Sequence, residues 1–253
     1  MKREKNKRKI GIALLILMQL ILFCSGCGKQ EQIQSVPFPE EEKAPVLAPA
    51  PLLEWENPET ENLAGLLQEN CGGMMVQLTA GQYMGSGVIC SAEEGLMVIV
   101  TAAHVLADVE DGVQITFVDN WVVNTTEYSI SEQTDLAVVQ VPLKDIPNER
   151  LEKYLTANLD GAVYDKLQTN DGCIVMGCKS GVAEDAYEGV VLEPWIYMED
   201  YGQHMIWVKA PGKPGMSGGG LFDRKGYFLG ILSGRSEDDE WAVVPLALVL
   251  EAL

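Results

Sequence analysis

The amino-acid sequence predicts an all-β protein with two six-stranded antiparallel β-barrels and a C-terminal helix, preceded by a signal peptide and a disordered linker. Twelve short apolar runs between Met74 and Val244 carry this prediction, because turn residues such as Ala80-Gly81 and Asp119-Asn120 separate them. A polar segment, 147–160, divides the runs into two sets of six. Strands at such short intervals are typical of antiparallel barrels.

The individual elements follow from these runs. In the first barrel, residues 59–150, the predicted strands are Met74–Leu78, Tyr83–Cys90, Leu96–Thr101, Val113–Val118, Trp121–Thr126 and Leu136–Val141. In the second, residues 151–253, they are Cys173–Met176, Gly189–Tyr197, Met205–Lys209, Gly219–Phe222, Tyr227–Leu232 and Trp241–Val244. Helical spacing lies between Glu59 and Glu69, and Pro245 is expected to begin a closing helix over Leu246–Leu253.

The first 26 residues have the pattern of an export signal. A basic start, 1–9, precedes an apolar stretch from Ile10 to Phe23 that is short for a membrane span but suits a signal peptide. Small residues then precede Cys27, which resembles the lipobox of bacterial lipoproteins and implies lipidation of Cys27. Cys24 departs from the usual leucine, so an uncleaved membrane anchor is the alternative. Both predictions place the protein at the cell membrane, on its extracytoplasmic face.

Residues 27–58 are predicted to be a linker. Six of the twelve prolines lie between Gly28 and Pro58, together with a run of three glutamates, and no apolar period is present. Six of the 18 basic and one of the 37 acidic side chains lie in the first 26 residues, so the remainder carries a net charge of −24. A negatively charged surface repels nucleic acid, so nucleic acid is not expected to bind this protein through electrostatics.

Four cysteines remain outside the targeting segment, at positions 71, 90, 173 and 178. They are too few for a disulfide scaffold, and buried apolar roles are predicted for them. Cys173 and Cys178 are five residues apart in a predicted strand, hence on opposite faces, where a bridge or a shared metal is awkward.

Three polar residues stand out because of where they occur. His104 follows an apolar strand in Thr101-Ala102-Ala103-His104, and Asp135 comes 31 residues later at the start of another strand. Ser217 lies in the second half, within Gly215-Met216-Ser217-Gly218-Gly219. Glycines let such a loop aim backbone N–H groups at an oxyanion formed beside the serine. Each residue alone has an ordinary structural explanation, whereas the ordered set points to nucleophilic catalysis.

The ordered set resembles the trypsin-like serine peptidases of the chymotrypsin fold, particularly the bacterial branch related to the HtrA (Deg) proteases, over about Met74 to Leu246. Gly85-Ser86-Gly87-Val88-Ile89 is similar to a strand motif of that branch, and the segments around His104, Asp135 and Ser217 are similar to its catalytic motifs. The resemblance implies a catalytic triad of these three residues, with Ser217 as nucleophile, His104 as base and Asp135 orienting the histidine.

The resemblance also implies an oxyanion hole formed by the N–H groups of Gly215 and Ser217, protein or peptide substrates, and no metal or other cofactor. Met216 stands where trypsin has the aspartate that pairs with its newly cut N-terminus, so no such ion pair is expected. Gly220 replaces a usual proline. The roughly 36 residues after Ser217 leave no room for a PDZ domain.

The substrate pocket is harder to predict. The resemblance implies walls formed by 211–216 and 231–235, with Pro214, Leu232, Ser233 and Gly234 as substrate-binding residues. Neither wall holds an acidic side chain, which argues against a preference for Lys or Arg. Arg235 is predicted to be a solvated surface residue, and the other histidine, His204, to be a barrel residue without a catalytic role.

Three functions are compatible with these patterns. The first is an active serine endopeptidase tethered to the membrane, and the second is a catalytically silent binding or sensing module that keeps the protease fold. A third, a passive lipoprotein adhesin, explains the anchor but not the ordered set of three residues. The sequence does not specify the oligomeric state.

Overall fold

The computed structural model describes residues 46–57, 61–179 and 182–253, which contain sixteen strands and four α-helices. The strands before residue 150 are β1 (Ala48–Pro49), β2 (Met75–Ala80), β3 (Tyr83–Glu93), β4 (Leu96–Thr101), β5 (Val113–Phe117), β6 (Val122–Thr125), β7 (Tyr128–Ile130) and β8 (Ala137–Pro142). The later strands are β9 (Leu155–Thr156), β10 (Asn158–Leu159), β11 (Gly172–Lys179), β12 (Val182–Met198), β13 (Gln203–Lys209), β14 (Gly220–Asp223), β15 (Tyr227–Arg235) and β16 (Glu240–Pro245). The helices are α1 (Leu63–Cys71), α2 (Asn148–Leu151), α3 (Gly161–Tyr164) and α4 (Leu246–Ala252).

The first half forms one curled antiparallel sheet. Its strand order is β6-β5-β2-β3-β4-β8-β7, so the predicted six strands are joined by a seventh, β7. The outer strands β6 and β7 share no ladder, and the sheet is therefore a curled half-barrel. Where its two edges approach, Thr125 Oγ1 donates to the carbonyl oxygen of Gln140 at 2.9 Å.

The second half forms a closed barrel, as the sequence predicts. Six strands follow one another around it in the order β11-β12-β13-β16-β15-β14, and β14 pairs with β11 to close the ring. The short strand β10 adds to the outside of β15 in parallel. The predicted all-β fold of two barrel-like halves is thus confirmed, with full closure in the second half only.

Alternating burial explains why these segments are strands. In β5, Val113, Ile115 and Phe117 are fully buried, whereas Gln114 between them is exposed. In β11, Cys173 and Cys178 pack in two different hydrophobic clusters, on opposite faces as predicted. All four cysteines of the described residues are buried, and burial raises the pKa of Cys71 to about 11 and that of Cys173 to about 12.

Residues 46–57 differ from the solvated linker expected there. Leu47, Ala50 and Leu53 are buried, and β1 pairs in parallel with β9. The Leu53 N–H donates to the carbonyl of Lys225 at 2.9 Å, which attaches the segment to the second barrel. The apolar residues are three apart and flanked by prolines, so their spacing resembles neither a strand nor a long helix. The predictions for residues 1–45, Cys27 included, lie outside the described residues.

The helices agree with the sequence in type more than in boundary. Helix α1 begins at Leu63, later than predicted, because the Asn62 side chain accepts a hydrogen bond from the Gly65 N–H at 3.0 Å and caps it there. Helix α4 begins directly after Pro245, as predicted. Within the described ranges no helix is long and apolar enough to cross a membrane.

Candidate active site

The three residues of the predicted triad come from both halves of the fold. His104 lies in a 3₁₀ turn, Ala103–Leu106, directly after β4, and Asp135 lies just before β8. Because β4 and β8 are paired neighbours, the start of β8 lies beside the end of β4. Ser217 belongs to residues 213–219, hereafter the serine loop, which leads into β14 of the second barrel.

Asp135 holds His104 by two bonds. Its Oδ1 accepts from the His104 backbone N–H at 2.9 Å, and its Oδ2 lies 2.8 Å from His104 Nδ1. The second contact places Nδ1 as the donor, so that Nε2 is left as the basic nitrogen. The Asp135 side chain is 17% exposed and that of His104 is 48% exposed, so the histidine is accessible while its partner is largely shielded.

These contacts shift the pKa values of His104 and Asp135 in the directions that favour the charged pair. The hydrogen bond to Asp135 raises the pKa of His104 above 6.5, with a further contribution from the charge of Asp135 that opposes the effect of partial burial. Burial raises the pKa of Asp135, but hydrogen bonds from His104 and Ser233 outweigh it and leave that pKa below its ordinary value.

Ser217 joins the same cluster through Ser233. The Ser217 hydroxyl donates to the Ser233 carbonyl at 3.2 Å, and the Ser233 hydroxyl makes a very short bond to Asp135 Oδ2. Within the described part of the chain, no hydrogen bond joins Ser217 to His104. The three predicted catalytic residues therefore lie in one hydrogen-bonded cluster, with the serine hydroxyl turned toward β15.

The serine loop carries two unused backbone donors. Among the described residues, neither the Gly215 N–H nor the Ser217 N–H has an acceptor, although the Met216 N–H between them donates to Lys213 at 3.3 Å. Gly215 has φ +96°, a conformation that glycine adopts without strain. Two free N–H groups on either side of one residue, beside a serine hydroxyl, have the composition of an oxyanion hole.

Close packing between the two halves fixes the serine loop. Gly218 has φ +81°, and a side chain there would collide with the Ser86 carbonyl and the Thr101 hydroxyl of the first sheet. A side chain at Gly85 would meet Val105 at 2.5 Å and the Ser217 carbonyl at 2.9 Å. Gly85 of the first motif and Gly218 of the serine motif therefore allow the first half of the fold to touch the loop backbone.

The four predicted substrate-binding residues differ in their surroundings. Pro214 is exposed, and the Tyr201 hydroxyl lies where a side chain at Gly234 would project. Ser233 is buried and bonded to Asp135. Leu232 has a buried side chain, and both its backbone groups bond to the serine loop. Its carbonyl accepts from the Gly218 N–H at 2.7 Å, and its N–H donates to the Gly219 carbonyl at 2.8 Å.

Trp241 fills space between the two predicted walls of the primary pocket. Its indole N–H donates to the Ala210 carbonyl at 3.1 Å, and its ring lies where a side chain at Gly212 would project. Arg235 covers the indole, with its guanidinium carbon 5.8 Å from the ring centroid, and pairs with Asp239. Arg235 is thus exposed, as predicted, although its guanidinium lies over the indole.

Several residues at the site were not predicted from the sequence. They are the Ser86 hydroxyl, Asp185, Tyr201 and Trp241, and the role of Lys213 was also missed. The one signal in the sequence that could have found them is the charge of Asp185, which lies in a segment that the structure shows to be β12. Among the described residues no group of His, Cys, Asp or Glu side chains has the arrangement of a metal site.

The fold and the serine-histidine-aspartate cluster define a protease of the two-barrel, chymotrypsin-like class. The family model of the trypsin-like peptidase domain matches residues 85–231, more than half of the chain, and the chain belongs to that family of serine proteases. No curated protein is significantly similar in sequence.

Solved structures of similar fold are HtrA-type proteases and a mycobacterial protease. The HtrA-type protease AlgW with a bound tripeptide is 25% identical, with a TM-score of 0.61, over 76% of this chain and 62% of that one. This chain therefore spans less than two thirds of AlgW. The inactive form of the Rv3671c protease is 18% identical, with a TM-score of 0.58, over 82% of this chain and 96% of that one. A second structure of Rv3671c gives its source as M. tuberculosis H37Rv.

Proposed function

We propose that the protein is a serine endopeptidase that cleaves peptide bonds through His104, Asp135 and Ser217. The observation that carries this proposal is the hydrogen-bonded cluster of these three residues beside two unused N–H groups, at Gly215 and Ser217. The peptides bound to AlgW support peptide substrates for this chain.

The mechanism follows from the atoms of the site. The Ser217 hydroxyl first leaves the Ser233 carbonyl and turns to Nε2 of His104, which accepts its proton as Oγ attacks the scissile carbonyl carbon. Asp135 stabilises the resulting imidazolium, and the Gly215 and Ser217 N–H groups stabilise the oxyanion. His104 then gives the proton to the leaving amine, and water hydrolyses the acyl-enzyme by the same route. These steps need no metal and no organic cofactor.

The geometry around Trp241 supports a small side chain at the substrate position that enters the primary pocket. Trp241 and the stem of Arg235 occupy the space beside Gly212, and no carboxylate faces it from either predicted wall. Peptides with alanine before the scissile bond are therefore the substrates of choice for a first assay, and peptides with arginine there are the matched poor substrates.

A fluorophosphonate probe tests the proposal directly, because it forms a covalent bond with an activated serine. The wild-type protein should be labelled, and the Ser217→Ala and His104→Ala variants should not be. Ser129→Ala, at an exposed serine of β7, is the matched control and should be labelled like the wild type. A folded wild-type protein that takes up no probe and cleaves no alanine peptide would exclude the endopeptidase function.

The second candidate is a catalytically silent binding module of the same fold. The bond from the Ser217 hydroxyl to the Ser233 carbonyl favours it, since that hydroxyl is not bonded to His104. Absence of labelling, combined with saturable binding of alanine peptides, would support this second function.

We also propose that the protein is lipidated at Cys27 and held on the extracytoplasmic face of the cell membrane. The basic start, the short apolar stretch and the small residues before Cys27 support this proposal. The acidic remainder of the chain is consistent with a substrate that is neither nucleic acid nor an anionic surface.

A further inference from the structure

The serine loop has few bonds of its own. Its internal bonds run from the Met216 N–H to the Lys213 carbonyl, at 3.3 Å, from the Lys213 N–H to Met216 Sδ, at 3.3 Å, and from the Gly219 N–H to the Met216 carbonyl, at 2.9 Å. None of them is made by the Pro214–Gly215 peptide, which supplies the Gly215 N–H, and only the long bond from Met216 to Lys213 closes a turn around it. Since Gly215 can adopt many backbone conformations, contacts from outside the loop are needed to fix the orientation of that N–H.

Ser86 of β3 supplies one such contact. Its hydroxyl lies 2.8 Å from the Gly215 carbonyl and 3.2 Å from the Cys178 carbonyl, and the shorter contact makes Gly215 the acceptor of its one proton. The same hydroxyl accepts from the Cys178 N–H at 2.8 Å, and the Ser86 N–H donates to the Ser217 carbonyl at 2.7 Å. Ser86 is fully buried. One residue of the first sheet therefore holds the Gly215 carbonyl and the Ser217 carbonyl. The first of these bonds fixes the Gly215–Met216 peptide, which directly follows the Gly215 N–H.

Lys213 supplies the contact on the other side of the Gly215 N–H, at the start of the loop. Its ammonium lies 2.7 Å from Oδ1 of Asp185, a β12 carboxylate whose side chain is only 5% exposed. The same ammonium lies 5.7 Å from the ring centre of Tyr187, whose hydroxyl approaches Asp185 at 3.4 Å. A largely buried carboxylate is costly to leave without a partner, which holds Lys213 in place. Pro214 then restricts the backbone between Lys213 and Gly215.

We infer that Ser86 and the Lys213–Asp185 ion pair are positioning groups that hold the Gly215 N–H in the orientation that receives the oxyanion. The inference rests on the proposed endopeptidase function and assigns to these three side chains the task of setting the oxyanion hole from two sides. None of these three side chains is bonded to a side chain of the predicted triad. Met216, which is buried and apolar, anchors the loop into the core, and its N–H and sulfur bond only to the Lys213 backbone within the loop.

The first test is Ser86→Ala, measured by the kinetics of alanine-peptide hydrolysis. Removal of an entire oxyanion donor costs about 10²–10³ in kcat, so loss of its positioning should lower kcat by about 10- to 100-fold. KM should change by no more than about twofold, because the donor acts on the transition state rather than on bound substrate. Ser129→Ala is the control. An unchanged kcat in folded Ser86→Ala would remove Ser86 from the proposal.

The second test is Lys213→Gln, which should lower kcat by about tenfold, whereas Lys213→Arg should restore most of it by keeping the ion pair. If Lys213→Gln fails to fold because Asp185 is left unpaired, the double variant Lys213→Gln/Asp185→Asn removes both charges and should show the same loss. Lys166→Gln makes the same charge change at an exposed lysine and should leave kcat unchanged. Equal activity of Lys213→Gln and wild type would overturn the ion-pair role.

A peptide aldehyde separates positioning from a general structural defect. Ser217 Oγ adds to the aldehyde carbon, His104 takes the hydroxyl proton, and the former carbonyl oxygen lies in the oxyanion hole. In Ser86→Ala and Lys213→Gln, the inhibition constant of the aldehyde should rise in parallel with the fall in kcat/KM. The Kd of an uncleaved peptide, measured in the same variants with Ser217→Ala added, should stay the same. Parallel weakening of both ligands would indicate a structural defect and contradict the inference.

The order parameter of the Gly215 N–H, measured by NMR, judges the positioning role independently of catalysis. It should be near the rigid value of about 0.85 in the wild type and clearly lower in Ser86→Ala and Lys213→Gln. An inert wild type with this pattern would refute the proposed function and keep the positioning role. An active wild type, together with variants whose Gly215 amide is as rigid as in the wild type, would support the proposed function and refute the positioning role.

Discussion

In the proposed mechanism, the protonation state of His104 sets the pH range of activity. The hydrogen bond to Asp135 raises its pKa above 6.5, and only the neutral imidazole accepts the Ser217 proton. We expect kcat/KM to rise with pH through a midpoint above about 6.5, where an unshifted histidine would titrate. A rate that is flat from pH 5 to 9 would contradict His104 as the base.

NMR titration measures the same shift without catalysis. The chain has only two histidines, so His204→Ala assigns the ring signals. Asp135→Asn should lower the pKa of His104 relative to the wild type. The sign for stability follows from the raised pKa: the protonated pair stabilises the fold below the unfolded value, and this contribution is lost as pH rises through the folded pKa.

At the level of single residues, the sequence identified the candidate catalytic residues better than the residues that hold them in place. His104, Asp135 and Ser217 stand in recognisable motifs, and the structure brings them into one cluster. Asp185 and Lys213 have no such motif, because an ion pair between residues 28 apart depends on how β12 lies against the serine loop. The burial of Leu232 was missed for the same reason, since the barrel decides it and not the neighbours of Leu232 in sequence, and the substrate-binding role of Leu232 stays a prediction.

At the level of elements, all twelve predicted strands are present. Most boundaries agree within three residues, because buried strands alternate apolar and polar residues and end at turns. The main error is β12, which begins seven residues earlier than predicted, where Asp185 and Glu188 interrupt the apolar pattern. The additional strands β1, β7, β9 and β10 are two or three residues long, too short to show any period.

The segment 46–57 gives a test of packing at this scale. Leu53 is 7% exposed, whereas its neighbour Leu52 is 41% exposed. We expect Leu53→Ala to lower the free energy of unfolding by about 2–4 kcal/mol, because it removes a buried side chain. Leu52→Ala is the matched control and should cost under about 1 kcal/mol. Denaturant unfolding measures both, and equal effects would mean that the segment does not pack as described.

At the level of the whole molecule, the lipid proposal has its own test. Cys27→Ser removes the thiol that would be acylated, and we expect the protein to move from the membrane fraction to the soluble extracytoplasmic fraction. Labelling with a palmitate analogue should be lost in parallel. Cys71→Ser changes a cysteine buried in the fold and should leave the fractionation unchanged. Membrane association that survives in Cys27→Ser would favour an uncleaved anchor.

The bond between Ser86 and Gly215 joins residues 129 apart in the chain. Contacts between such distant residues form late, because the intervening chain must first be ordered. The Gly215 N–H can take its working orientation only after both halves have folded and met. We therefore expect a chain in which only one half has folded to be inert, and completion of folding to be the event that enables catalysis at the proposed site.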